Sequence, residues 1–346
     1  MSATFLFTTC RDGSETALKR DIARHFGGAL TPAFMKPQLI TWKQIRGSRV
    51  SVSESLSPFA RVSGISLGLC KTIDELVDHA RKLATKPIRL HVFPRVTHED
   101  GIKAAEWAHI DAVTAEIARA LQQAGVQCET RLPYAFGDLV LDVIVGETAA
   151  EPLFLGHHTH HTCSHSQPGG LPRIALPDEV PSRAWLKLEQ ALAWRGWDQL
   201  DLRGLNALDL GSAPGGATFS LLSRDMNVIG VDTGEMDERV YHLAGSKGVT
   251  FEHWRVPAGK LDLRSLPKLD LLLCDINLAP SQVIPIIERI QKRARVPRLI
   301  LTLKLNTPAL EDQARQFIAA VEAFAPKPVF ATRLAGNRRE ICVCAG

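Results

Sequence analysis

The chain has 346 residues, enough for two or three domains with separate hydrophobic cores. Hydrophobic residues make up 45% and charged residues 23%, the composition of an ordinary globular protein, and no apolar run approaches the roughly 18 residues that span a bilayer. The net charge of +4 falls after Pro181, where 22 basic residues face 18 acidic ones, a bias compatible with an RNA partner but too small to require one.

The first ten residues lack a basic stretch followed by a long apolar core, so no signal peptide is expected, and the reading is a cytoplasmic protein. The seven cysteines (Cys10, Cys70, Cys128, Cys163, Cys274, Cys342, Cys344) agree with that. They are odd in number, scattered, and mostly set in apolar runs, as reduced thiols are. Residues 4–10 predict a strand, rich in Thr and Phe. Leu18, Ile22 and Phe26 then recur at helical spacing behind Ser14 as N-cap. Strand-like runs near 38–43 and 47–53 complete an N-terminal α/β subdomain over 1–62.

A second unit is expected over 63–156. Thr72 with Glu75 forms a capping-box pattern ahead of a helix over 72–83. Ile88–Phe93 predicts a strand, Ala104–Ala124 a helix ended by Gly125, and Leu139–Val145 another strand. These make a compact module with helices on one face of a sheet. Between Gly156 and Asp178 the composition changes to His, Pro and Gly without apolar periodicity, which predicts a linker over 157–180. His157, His158, His160, His161 and His165 lie in it. No acid or cysteine pair stands near them in sequence, so a polar loop is the favoured reading over a metal site.

From Pro181 onward strands and helices alternate, predicting a doubly wound parallel sheet. In ALDLGSAPGG (207–216) a strand ends at Leu210, a glycine-rich turn follows, and a helix starts near Ala217. A ligand there meets the first N–H groups of that helix at the carboxyl edge of the sheet. Ala213 stands where the dinucleotide fingerprint needs glycine, and Pro214 removes a donor that pyrophosphate would use. Both disfavour a nicotinamide-dependent oxidoreductase. Val228–Val231 is a further strand ending at Asp232, an acid suited to a ribose diol.

Four more segments carry chemistry. Lys187 sits on an amphipathic helix (182–192), Asp275 ends a buried strand (269–277), Lys304 ends another (299–306), and Glu340 opens a last short strand (338–346). Strand carboxyl ends share one crevice, and an antiparallel final strand brings its start to the same edge. Cys342 and Cys344 alternate on that strand and are expected in the core.

This order of residues resembles the Lys-Asp-Lys-Glu tetrad of the FtsJ-like RNA ribose 2′-O-methyltransferases, over Pro181 to Ala345. The resemblance implies an α/β, Rossmann-like methyltransferase domain over 181–346. It implies S-adenosyl-L-methionine as cofactor, no metal, and a ribose 2′-hydroxyl of RNA as acceptor: a cytidine of large-subunit (23S) ribosomal RNA or, as the alternative, a ribose of another RNA such as tRNA. Lys187, Asp275, Lys304 and Glu340 would be catalytic. Ala184, Asp209, Gly211, Ala213, Pro214, Gly215, Gly216, Asp232 and Asp275 would contact the cofactor. Residues 88–126 resemble part of an RNA-binding THUMP domain, which makes 63–156 the RNA-binding region in a smaller α/β unit. The sequence departs from the family after the third strand, where FEHWRVPAGK (251–260) lacks the aspartate that relatives use on adenine; Glu252 and Asp262 are the neighbouring acids. A catalytically silent module that binds cofactor or RNA is the alternative, against which the complete tetrad argues.

Lys304 is the candidate base. An ordinary lysine is protonated near neutral pH, so the role requires burial and the nearby Lys187 cation to outweigh the pull of Asp275. Lys187 and Glu340 are expected to pair and to hold the ribose.

Overall fold

The structure, a computed structural model, describes residues 4–45, 47–48, 50–51, 56–84, 86–97, 102–130, 135–148, 150–161 and 165–346. It divides into two compact units of similar length, Met1–Pro172 and Arg173–Gly346.

The N-terminal unit runs β1 (Phe5–Cys10), α1 (Glu15–His25), β2 (Leu30–Lys36), β3 (Leu39–Gln44), β4 (Ala60–Cys70), α2 (Ile73–Leu83), β5 (Ile88–Pro94), α3 (Ala104–Gln123), β6 (Cys128–Glu129), β7 (Leu139–Val145) and β8 (Leu153–Thr159). All eight strands join one sheet in the order β2-β3-β1-β4-β8-β7-β5-β6. Thr72 caps α2 by accepting from Glu75 N–H at 3.2 Å. The returning Glu75 carboxylate takes the Lys71 N–H at 2.7 Å, one residue further back than a standard capping box. Ser14 occupies the N-cap position of α1 without a side-chain cap bond. Leu76, Val77, Ile110, Ile117 and Leu121 of α2 and α3 pack on Ile88, Leu90, Val92, Leu141, Val143 and Leu155 of the sheet. With period-two alternation, His91, Asp142 and His158 therefore face the opposite side.

Two expected boundaries are corrected here. The division at 62/63 falls inside β4, which pairs with β1 on one edge and β8 on the other, so residues 1–62 and 63–156 share one sheet. Arg61 and Ser63 interrupt its apolar pattern at alternate positions, which face one side of the sheet. The linker expected from 157 begins later: His157 and His158 lie in β8, paired with β4 and β7. Their composition is polar, yet their backbone groups complete a ladder. Part of the run expected at 47–53, and Cys163, lie outside the described residues; Cys70, Cys128, Cys274, Cys342 and Cys344 are free thiols.

The C-terminal unit runs α4 (Ala184–Arg195), β9 (Asn206–Leu210), α5 (Gly216–Ser223), β10 (Asn227–Val231), α6 (Glu238–Lys247), β11 (Phe251–Trp254), β12 (Leu271–Cys274), α7 (Pro280–Ala294), β13 (Leu299–Lys304), α8 (Pro308–Asp312), α9 (Ala314–Glu322), β14 (Val329–Thr332) and β15 (Glu340–Ala345). The sheet order is β11-β10-β9-β12-β13-β15-β14, with β15 antiparallel to both neighbours. This is the expected Rossmann-like, doubly wound arrangement, and its order reverses beside β9. Leu271, Leu273, Ile300, Cys342 and Cys344 pack on one face with Leu188 and Leu192 of α4, Leu221 of α5 and Val240 of α6. The alternate residues Leu208, Leu210, Leu272, Leu301 and Val343 are also buried, so both faces are covered. The Cys342 and Cys344 sulfurs lie 3.6 Å apart inside this core. Among the described residues, no helix is long and apolar enough to cross a membrane.

Candidate active site

The carboxyl edge of the C-terminal sheet carries the glycine-rich turn between β9 and α5. Gly211 adopts φ 83° and Gly215 φ 115°, left-handed conformations that glycine tolerates at little cost. Space is as restrictive as torsion. A Cβ at Gly216 would lie 2.3 Å from Ser182 Oγ and 2.9 Å from Trp185 N, so the turn packs directly on the start of α4. Asp232, at the end of β10, fixes the turn from the other side. Its Oδ2 accepts from Ala213 N–H at 3.2 Å and its Oδ1 from Gly234 N–H at 2.8 Å. Each carboxylate oxygen keeps a further acceptor site.

Asp209 lies beneath the turn, 1% exposed, with Oδ2 accepting from Thr218 Oγ1 at 2.7 Å. This ties β9 to α5. Burial pushes its carboxyl up to about 6 against the Thr218 bond, and the charges of Asp275 and Asp232 push the same way. Three carboxylates thus gather around the turn and raise the local negative potential.

The four tetrad positions converge. Lys187 on α4 donates to Asp275 Oδ2 at 3.1 Å and pairs with Glu340 Oε1 at 2.5 Å. Lys304 pairs with Asp275 Oδ1 and donates to Glu340 Oε2 at 2.8 Å. Each lysine bridges both carboxylates and every carboxylate oxygen is used, giving a closed ring with no net charge. Helix α4, the end of β12, the end of β13 and the start of β15 each supply one member. Burial alone would lower the Lys304 ammonium, but Asp275 and Glu340 together outweigh it and hold its pKa above the ordinary lysine range. Burial would likewise raise the Glu340 carboxyl, and Lys187 and Lys304 hold it below the usual carboxylate range. The balance that the base role requires is therefore not met in this closed ring: with two carboxylates against one neighbouring cation, Nζ keeps its proton.

A pocket opens beside the ring, lined by Ala184, Lys187, Asp209, Asp275, Asn337 and Cys342. Asn337 was not among the expected site residues. It is 1% exposed, its Oδ1 accepts from Leu334 N–H at 2.9 Å, and its Nδ2 donates to Glu340 Oε1 at 3.5 Å. Its only sequence signal is a polar residue in the turn three positions before Glu340. The acids near the missing adenine aspartate are engaged locally: Glu252 accepts from Trp254 Nε1 at 2.8 Å, and Asp262 pairs with Arg264.

Residues 180–330 match the model of the FtsJ-like methyltransferases. The match lies within the C-terminal unit and covers most of it. Curated relatives carry the name ribosomal RNA large subunit methyltransferase M. The protein of that name from Azotobacter vinelandii is 32% identical over 162 residues, 46% of this chain and 44% of the relative. That from Cellvibrio japonicus is 36% identical over 146 residues, 41% and 40% of the two chains. The aligned region thus spans less than half the length of these relatives. Solved structures are more distant. TrmN from Thermus thermophilus is 16% identical with a TM-score of 0.33 over 99% of each chain. Magnesium protoporphyrin IX methyltransferase from Synechocystis PCC 6803 is 18% identical with a TM-score of 0.33, covering 46% of this chain and 78% of that one.

Proposed function

We propose that the C-terminal domain transfers a methyl group from S-adenosylmethionine to a ribose 2′-hydroxyl of RNA, and that the RNA is large-subunit ribosomal RNA, with a cytidine as the target. The observation that carries this reading is the closed ring of Lys187, Asp275, Lys304 and Glu340 at the sheet edge that also bears the glycine-rich turn. Two positive and two negative groups around one point suit a neutral hydroxyl acceptor whose proton must be handled. The relatives named above support ribosomal RNA as the substrate.

The turn suits an adenosyl sulfonium better than a dinucleotide. Pro214 offers no N–H to a pyrophosphate, and the carboxylates nearest the turn outside the neutral ring are Asp209 and Asp232, which favour a cation. Asp232 would hold the ribose diol, with the backbone from Gly211 to Gly216 and Ala184 forming the wall. When bound, the cofactor supplies an electrophilic methyl carbon on a positively charged sulfur.

The chain's own groups then align the acceptor and manage its proton. Lys187 and Glu340 hold the target ribose. Lys304 Nζ faces the 2′-oxygen. A hydroxyl that draws a carboxylate oxygen away from Lys304 removes part of the charge that keeps Nζ protonated. The lysine can then release a proton to solvent and accept that of the hydroxyl. Leu188 and Leu273 beside the ring limit water. In this reading the N-terminal unit grips the RNA, in keeping with the THUMP resemblance of residues 88–126.

Transfer of tritium from labelled S-adenosylmethionine to unmodified 23S ribosomal RNA, followed by digestion to nucleosides, tests the proposal. Label in 2′-O-methylcytidine is expected. Label on a base would overturn the ribose acceptor, and label only in other RNAs would overturn the substrate.

A further inference from the structure

The histidine-rich segment gains partners from elsewhere in the N-terminal sheet. β5 and β7 run parallel with His91 and Asp142 as register partners, and β7 pairs with β8, where Val140 stands opposite His158. All three side chains face away from α2 and α3 and are buried at 1%, 0% and 5% exposure. His158 Nδ1 lies 2.6 Å from Asp142 Oδ2, and His91 Nδ1 lies 3.7 Å from Asp142 Oδ1. One ligand atom from each residue falls within 4.8 Å of the other two. His160, also buried, follows two positions after His158, and its backbone continues the pairing through Asp138. The segment 165–170 closes over this face: Gly169 packs on the Phe93 ring, and Gly170 on His165.

We propose that His91, Asp142 and His158 form a site for a divalent transition-metal ion of the zinc type, with His160 or a water molecule as fourth ligand. Two imidazoles and one carboxylate are a common donor set for such ions. A zinc ion bonded at about 2.0–2.1 Å sets its ligand atoms roughly 3.3 Å apart. The observed separations are 2.6 Å at one carboxylate oxygen and 3.7 Å at the other, and the three ligand atoms lie within 4.8 Å of one another, so side-chain rotation is needed to bring them onto one ion. Electrostatics points the same way. Asp142 has no exposed surface, and one histidine lies against each of its carboxylate oxygens. A buried carboxylate flanked by two imidazoles is a donor set that a cation completes, and a bound metal would tie β5, β7 and β8 together. The expected role is structural, because the site is closed to solvent.

The test uses the full, untagged chain stripped with chelator, exposed to Zn²⁺ alone and desalted. Elemental analysis should find one zinc per chain, and Co²⁺ should give the visible absorption of a four-coordinate site. Asp142→Asn and His158→Gln should lower retained zinc at least tenfold, with the folded state of each variant checked by circular dichroism. Zinc should raise the melting temperature of the wild-type chain even if a variant fails to fold. Wild-type protein that retains less than a tenth of an equivalent, or folded variants that retain zinc as the wild type does, would overturn the proposal. Neither result depends on methyl transfer, so it is separable from the function proposed for the C-terminal domain.

Discussion

Lys304 and Glu340 are register partners across the antiparallel pair β13–β15, and Lys304 Nζ donates to Glu340 Oε2 at 2.8 Å. Direct partners on neighbouring strands share a face, so this register alone brings the second carboxylate to the lysine. Asp275, at the end of β12, supplies the first. The consequence is a lysine whose pKa burial alone would lower but whose neighbours hold it above the ordinary lysine range.

Replacing Lys304 with Ala should remove methyl transfer while leaving cofactor affinity within a few-fold of wild type, because the side chain faces the ring and not the glycine-rich turn. Single-turnover assays and calorimetry read the two quantities separately. A variant with more than a tenth of the wild-type rate would show that Lys304 is not the central group.

The raised pKa of Lys304 predicts a pH dependence. Catalysis by neutral Nζ requires loss of a proton from a group that is protonated throughout the neutral range. The rate constant kcat/KM, which reports the free enzyme, should therefore rise about tenfold per pH unit between roughly pH 6.5 and 9. A flat profile over that range would leave Lys304 only the task of orienting the hydroxyl.

Asp232→Ala should weaken cofactor binding. It removes a charged acceptor for ribose hydroxyls and releases the Ala213 and Gly234 N–H groups that hold the turn. Loss of a charged hydrogen bond costs about 1.5–3 kcal/mol, equivalent to a roughly ten- to hundred-fold rise in Kd. Unchanged affinity by calorimetry would move the cofactor away from this strand end.

Asp209→Asn should stabilise the domain at neutral pH. The folded carboxyl titrates at about 6 against 3.8 for an ordinary aspartate, so the folded state holds its proton more tightly. That contribution is complete below pH 4 and is lost as pH rises through 6. Asparagine keeps an acceptor for Thr218 and never ionises. Its advantage over wild type should therefore grow by about 2–3 kcal/mol between pH 4 and 7.5. Urea unfolding at the two pH values measures the difference, and an equal offset at both would rule out Asp209 as its source.

The amino-acid sequence by itself determined the C-terminal architecture and the four charged residues that converge at its sheet edge, though not Asn337 beside them. Strand periodicity placed Asp275 and Lys304 at strand ends, and strand ends of a doubly wound sheet meet at one edge, so their proximity followed from local pattern and topology. Only the tertiary structure decided the electrostatic balance among them, because it depends on distances across four separate elements. The N-terminal unit shows the same division more sharply. His157 to His165 read as a polar linker, since no acid lies near them along the chain. The register of β5, β7 and β8 brings His91 and Asp142 from 67 and 16 positions before His158, a long-range pairing that local composition does not encode.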